Sequence, residues 1–281
     1  MENKQGGRKE QLQPSRNCPN CGVPQPAGAK FCPNCGASLL GQNTHTDLPL
    51  RVEYGNVFCT MRDFVGVMDI PPYIDGQRVT AIGKMAFCVC QGIKSVTIPD
   101  TVSLIGAKAF EGCKFSKIVI PDSVMSIGEQ AFASSSLSEI RLSKSLESIS
   151  AGCFMYCRDL TSIIIPNTVT SIGYSAFQSS GLTEIVIPES VKIIRSCAFQ
   201  FCFNLSHVVI PPTVEEIEDG AFEGVLKNNM TGIIPRKFCT QNKIVELFRA
   251  GSPKNGYFWR NSFKFKDEYG TDIIVEELPR N

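Results

Sequence analysis

Four cysteines near the N-terminus carry the most legible chemistry in the chain. Cys18, Cys21, Cys32 and Cys35 form two C-x2-C pairs in the string NCPNCGVPQPAGAKFCPNCGAS. Four thiolates at this spacing suit a tetrahedral zinc ion. Gly22 and Gly36 follow the two pairs and let backbone amides turn toward the sulfurs. With every position of the shell filled by protein, no place remains for a reactive water, so the ion is expected to be structural, one zinc per chain. A stretch this poor in apolar side chains needs the metal to fold.

The two halves both read C-P-N-C-G, and the module resembles a zinc ribbon built from two knuckles. It spans 17–38, after a polar segment, 1–16, that is expected to be disordered; a flexible linker, 39–50, follows.

Beyond this module, groups with catalytic potential are sparse. The chain of 281 residues has two histidines, and 28 basic residues nearly balance 27 acidic ones. That balance gives no general reason to expect a nucleic-acid or anionic-membrane partner. No nucleophile, base and orienting group fall together, so an enzyme is not expected. No run of 18 apolar residues marks a membrane span. The first residues, MENKQGGRKEQLQPSRN, lack the apolar core of a secretory signal, which predicts a cytoplasmic protein.

Most of the chain is a repeat. Seven copies align on Val79, Val102, Val124, Leu146, Val169, Val191 and Val214, at steps of 22 or 23 residues. Three residues on, each has isoleucine (Ile82, Ile105, Ile127, Ile149, Ile172, Ile194, Ile217), and eight residues on each has phenylalanine (Phe87, Phe110, Phe132, Phe154, Phe177, Phe199, Phe222). Invariant spacing of this kind marks a solenoid, in which one copy cannot bury its own apolar residues and a stack can. The second half of each copy, L-x-x-I-x-I-P, alternates at period two and predicts a short strand ended by proline. Stacked, these strands predict one parallel sheet on the order of 30 Å long. The first half, V-x-x-I-G-x-x-A-F, suits a tight helical or 3₁₀ turn. Its glycines (Gly83, Gly106, Gly128, Gly173) suggest a backbone conformation closed to other residues. Cys90, Cys113, Cys157 and Cys202 recur three residues after the phenylalanine, with Ser135 and Ser180 in the same place. They read as small corner fillers and not as a redox pair of Cys90 with Cys113.

The pattern VTSIGYSAF…GLTEIVIPES closely resembles the BspA-like, Treponema-type leucine-rich repeat family. IPPYIDGQRVTAIGKMAF resembles that family's atypical first repeat, preceded by a hairpin within 51–69. The resemblance implies an α/β solenoid: a right-handed leucine-rich-repeat coil with a parallel, concave β-sheet. The zinc ribbon precedes the hairpin and first repeat (51–78), the repeats occupy 79–235, and an α+β cap (236–281) follows. It also implies, as an alternative to the cytoplasm, a surface or secreted protein of the adhesin kind.

If conserved spacing builds the scaffold, function falls to the residues between. The outward positions of the strands form two columns on the concave face. One contains Arg141, Ile164, Val186 and Val209; the other contains Glu184 and His207. Ile164, Val186 and Val209 are contiguous and apolar, an arrangement suited to a docked protein, with Glu184 and His207 as a polar edge close enough to hydrogen-bond each other. A protein partner is therefore expected.

The tail suggests a helix over Thr240–Gly251, then two strands about a turn near Asp267–Gly270. Eight basic residues and one acidic residue between Arg236 and Lys266, interleaved with aromatics, leave nucleic-acid binding as the less favoured alternative to capping.

Overall fold

A computed structural model describes residues 18, 23–25, 29, 32, 49–225, 231–238 and 263–275. The expected helix at Thr240–Gly251 lies outside them, as do the polar N-terminal segment and residues 39–48 of the expected linker, whose last residue, Leu50, already begins a strand.

Each copy makes one coil, and six of the seven carry two strand segments. The I-x-I half forms strands such as Lys117–Val119, Glu139–Arg141 and Glu184–Val186, each exposed–buried–exposed. Proline then closes the corner: its carbonyl accepts the amide of the next copy's first residue, as in Pro99–Val102, Pro121–Val124 and Pro166–Val169. The V-x-x-I half forms a second row of two-residue strands, Ala81–Ile82, Leu104–Ile105 and Ser126–Ile127 among them. These pair in parallel, with isoleucine opposite isoleucine.

The repeated phenylalanines form a ladder. All seven are fully buried, and successive rings stack nearly parallel with centroids 5.0–5.6 Å apart. Offset stacks at this distance add to the burial energy of each ring. Phe115 takes the leucine position of its coil and meets Phe110 edge-on, 5.7 Å away.

The segment between isoleucine and phenylalanine is not helical. In the first coil Ala86, Cys88 and Cys90 donate their amides to Gly83, Met85 and Phe87 within the coil. The intervening amides of Met85, Phe87 and Val89 donate to Ala107, Ala109 and Glu111 of the next coil. A helix would spend every amide inside its own coil; alternation instead binds coil to coil. It requires two left-handed residues per coil: Met85 (φ 56) and Val89 (φ 61) here, Gln130 (φ 56) and Ser134 (φ 56) two coils on.

The glycines after isoleucine therefore have a different role from the expected one, and none has positive φ. They permit close approach: a Cβ on Gly106 would lie 2.7 Å from Lys84 N and 2.8 Å from Gly83 C in the preceding coil.

The ends differ from the middle. Leu50–Glu53 and Asn56–Cys59 form an antiparallel hairpin through Tyr54 (φ 50) and Gly55 (φ 79), both left-handed as a tight hairpin turn requires. Its second strand pairs with Ala81–Ile82 and covers the open edge of that row. Gly66–Asp69 pairs likewise with Ile93–Thr97. At the other end Thr231–Ile233 continues in parallel to Phe263–Lys266, which turns back antiparallel onto Asp272–Val275. Between them Asp267 accepts the amides of Tyr269 and Thr271 at 3.0 and 2.7 Å.

Neither row runs unbroken. The I-x-I row divides into Gly66–Asp69 with Ile93–Thr97, Lys117–Val119 with Glu139–Arg141, and a third sheet starting at Glu184–Val186. The coil carrying Ile164 has no strand at that position. Backbone contact persists there through Thr183 N to Thr161 O at 2.9 Å.

Candidate interaction face and metal module

The I-x-I row presents the outward columns. Ile164 is 86% exposed, Val186 58%, and Val209 half-buried. Strand pairing sets Val186 beside Val209 and Val209 beside Ile233, and Ile233 is 39% exposed. Four apolar side chains thus follow one another on four successive coils. Ile233 escaped the sequence reading because its coil departs from the repeat: Gly232 stands where isoleucine is expected and no strand pattern is clear before it.

The polar edge differs from expectation. Glu184 and His207 are register partners, but His207 Nδ1 lies 2.9 Å from Thr231 Oγ1. His207 is thus engaged one coil further on, away from Glu184.

Arg141 lies in the same column, one coil before Ile164, in a different setting. Its guanidinium donates to Asp122 Oδ1 at 3.0 Å, and that carboxylate also accepts Lys144 N at 3.1 Å. The Lys144 amide first, then Arg141, hold the Asp122 carboxyl below its ordinary range. Lys117 and Glu139 pair nearby at 2.6 Å. An open depression of about 820 Å³ lies here, lined in part by Val96, Val119, Asp122, Glu139 and Arg141. The face is ionic over the early coils and apolar over the later ones.

The recurrent thiols point inward. Cys113, Cys157 and Cys202 are fully buried and donate to the carbonyls of Phe87, Phe132 and Phe177, at 3.1, 3.0 and 3.0 Å. Burial above all pushes Cys157 and Cys202 up to about 11. Ser135 and Ser180 fill the same corner, with hydroxyls 3.4 and 3.3 Å from Cys157 and Cys202.

In the cysteine module Cys18 and Cys32 are buried. Cys18 N donates to Val23 O at 2.9 Å, and Gln25 Nε2 lies 3.2 Å from Cys32 Sγ. An amide N–H aimed at sulfur favours the thiolate a metal needs, so Cys32 fits the ligand role. Cys21 and Cys35 lie outside the described residues, among which no three acidic, histidine or cysteine side chains gather to hold a metal.

Two stacked rows of parallel strands, one coil per 22 or 23 residues, with a ladder of phenylalanines inside, define a leucine-rich-repeat solenoid. The chain belongs to the BspA-type leucine-rich repeat family, whose model matches 73–181 and 170–242 in six copies. A zinc-ribbon domain model matches 17–39. Among solved structures, a leucine-rich repeat protein from Eubacterium ventriosum is 22% identical, with a TM-score of 0.53 over 64% of this chain and 51% of that one. The chain thus spans about half of that protein's length. The T. pallidum leucine-rich repeat protein is 24% identical, with a TM-score of 0.45 over 80% of this chain and 96% of that one. A leucine-rich cell surface protein from Faecalibacterium prausnitzii is 22% identical, with a TM-score of 0.34 over 69% of this chain and 65% of that one. No curated protein matches the chain. Among the described residues no helix is long and apolar enough to cross a membrane.

Proposed function

We propose that this chain is a non-enzymatic interaction protein that holds a protein partner on the outward face of its I-x-I row. The observation that carries this reading is the strip Ile164, Val186, Val209 and Ile233, apolar and at least partly exposed on successive coils. Covering such a strip removes apolar surface from water, and the strands beneath fix its geometry in advance, which lowers the entropic cost of binding. Glu184 and His207 border the strip and set polar specificity at its edge. Arg141 and the ion pairs around it steer the partner's other end.

The zinc ribbon (17–38) is a separately stapled module on the linker (39–50), with one structural zinc held by Cys18, Cys21, Cys32 and Cys35. The protein acts in the cytoplasm.

Affinity capture from native cells with wild type and with Ile164, Val186 and Val209 all changed to Asp tests the binding face. Loss of a partner from a variant with an unchanged circular dichroism spectrum supports it. An unchanged set of captured proteins overturns it.

A further inference from the structure

The apolar strip on the I-x-I row has ends and flanks that narrow what fits it. Arg141 precedes Ile164 in the column and is paired with Asp122. Strand register places Lys266 after Ile233, and Lys266 is paired with Asp272 at 3.7 Å. The strip is thus four coils long, closed at each end by a cation that already has its carboxylate.

The flanks are acidic. Glu184 lies two residues before Val186 in the same strand, exposed and on the same face. Glu189 is exposed in the turn that follows Pro188. On the early coils the matching acids are neutralised, Glu139 by Lys117 and Asp122 by Arg141. Among the described residues the Glu184 and Glu189 side chains have no such partner. Asp122 also shows how far an acid at the place of Glu189 reaches. It follows Pro121 as Glu189 follows Pro188, and its carboxylate meets the outward residue of the next coil, Arg141. From Glu189 the same reach ends beside Val209, where no cation stands.

Spacing selects the backbone of the occupant. Strands in neighbouring coils lie roughly 4.8 Å apart, so four coils span about 14 Å. In an α-helix, residues i, i+4, i+7 and i+11 lie on one face and span about 16 Å. In an extended chain, every second residue faces the same way, and four of them span about 20 Å. Such a chain slips by a whole coil along the strip; a helix keeps four anchors on four coils.

We propose that the occupant of the strip is a basic amphipathic helix of about three turns, laid across the coils. The proposal rests on the reading that a protein partner docks on the I-x-I row. The apolar face of the helix covers Ile164, Val186, Val209 and Ile233. Lysine or arginine side chains on its two borders lie along the apolar surface and reach Glu184 on one side and Glu189 on the other. The paired cations Arg141 and Lys266 end the apolar surface and so limit the length of helix that fits.

The test uses the full-length protein and three fluorescent peptides of about 18 residues. One carries leucine at i, i+4, i+7 and i+11 with lysine on both borders. The second has glutamate in place of lysine, and the third has the composition of the first, scrambled so that its leucines share no face. Fluorescence anisotropy at low salt should show the lysine peptide binding at least about tenfold tighter than either control. Ile164→Ser with Val186→Ser should weaken that binding at least about tenfold. Glu184→Gln with Glu189→Gln should weaken it about fivefold, a difference that shrinks as salt rises. Absence of binding by the lysine peptide overturns the proposal, as does equal binding of either control or an unchanged affinity in the double glutamine variant. Crosslinking from position 186 in native cells reads the underlying docking separately. An adduct there without binding of the lysine peptide overturns the basic helix and leaves a protein partner on the row; no adduct removes both.

Discussion

Arg195 and Glu218 occupy the same position in neighbouring coils, the place where four other copies have glycine, and their side chains pair with Nη1 to Oε1 at 2.5 Å. The other carboxylate oxygen accepts Ser196 N at 2.7 Å and Ser196 Oγ at 3.0 Å. Where a coil carries a side chain at this close-packed place, that side chain bonds the adjacent coil. Ser150 does so too, donating to Ile127 O.

The bond from Arg195 first, then those from Ser196, hold the Glu218 carboxyl below its ordinary value. A depressed carboxylate contributes stability above its unfolded pKa, near 4.3, and that contribution is lost as pH falls through the lower folded value. Glu218→Gln should therefore lower the melting temperature slightly at neutral pH, by about 1–2 °C for so exposed a pair. The difference from wild type should vanish in strong acid. Melting curves between pH 7 and pH 3 check this.

Phe154 stands at the centre of the ladder, stacked at 5.6 Å on Phe132 and at 5.4 Å on Phe177. Phe154→Ala removes both contacts and leaves a buried void. We expect a loss of about 3–5 kcal/mol in urea unfolding, and because coils touch only their neighbours, a less cooperative transition. A change below about 1 kcal/mol would show that the ladder is not the main support of the stack.

Gly106 separates two explanations for its column. The atoms its Cβ would meet are backbone atoms of the preceding coil, which cannot move without shifting the stack. Gly106→Ala should cost about 1–3 kcal/mol through overpacking. A neutral result in chemical denaturation would contradict the close-approach account.

The metal module makes its own prediction. Metal analysis of the reduced protein should give about one zinc per chain, and chelation should unfold the ribbon while the β-sheet signal of the repeats persists. Cys32→Ser should lower zinc content severalfold. Full zinc retention in that variant would rule out Cys32 as a ligand.

The stacking of Phe87 through Phe222 was legible in the sequence because burial demands one residue type in every copy. The left-handed positions were not: Met85, Lys108, Gln130, Ser175 and Cys197 share a conformation but no chemistry. Their φ is imposed by amides that alternate between coils, a non-local demand that residue type does not record. For the same reason the glycine column invited a conformational reading when contact was the cause. Ile164, Val186 and Val209 were found as the varying outward residues of a regular strand. The turn of His207 toward Thr231 was hidden because a column gives neighbours on both sides and no rule for choosing between them.

Site-specific photo-crosslinking in native cells tests whether a protein partner lies on the I-x-I row. A photoreactive side chain at position 186 is compared with one at Tyr174, which is 57% exposed away from that row. A partner on that row gives a discrete adduct with a second protein from position 186, absent from position 174 and abolished by Ile164→Asp. Equal adducts from both positions, or none from position 186, would contradict it.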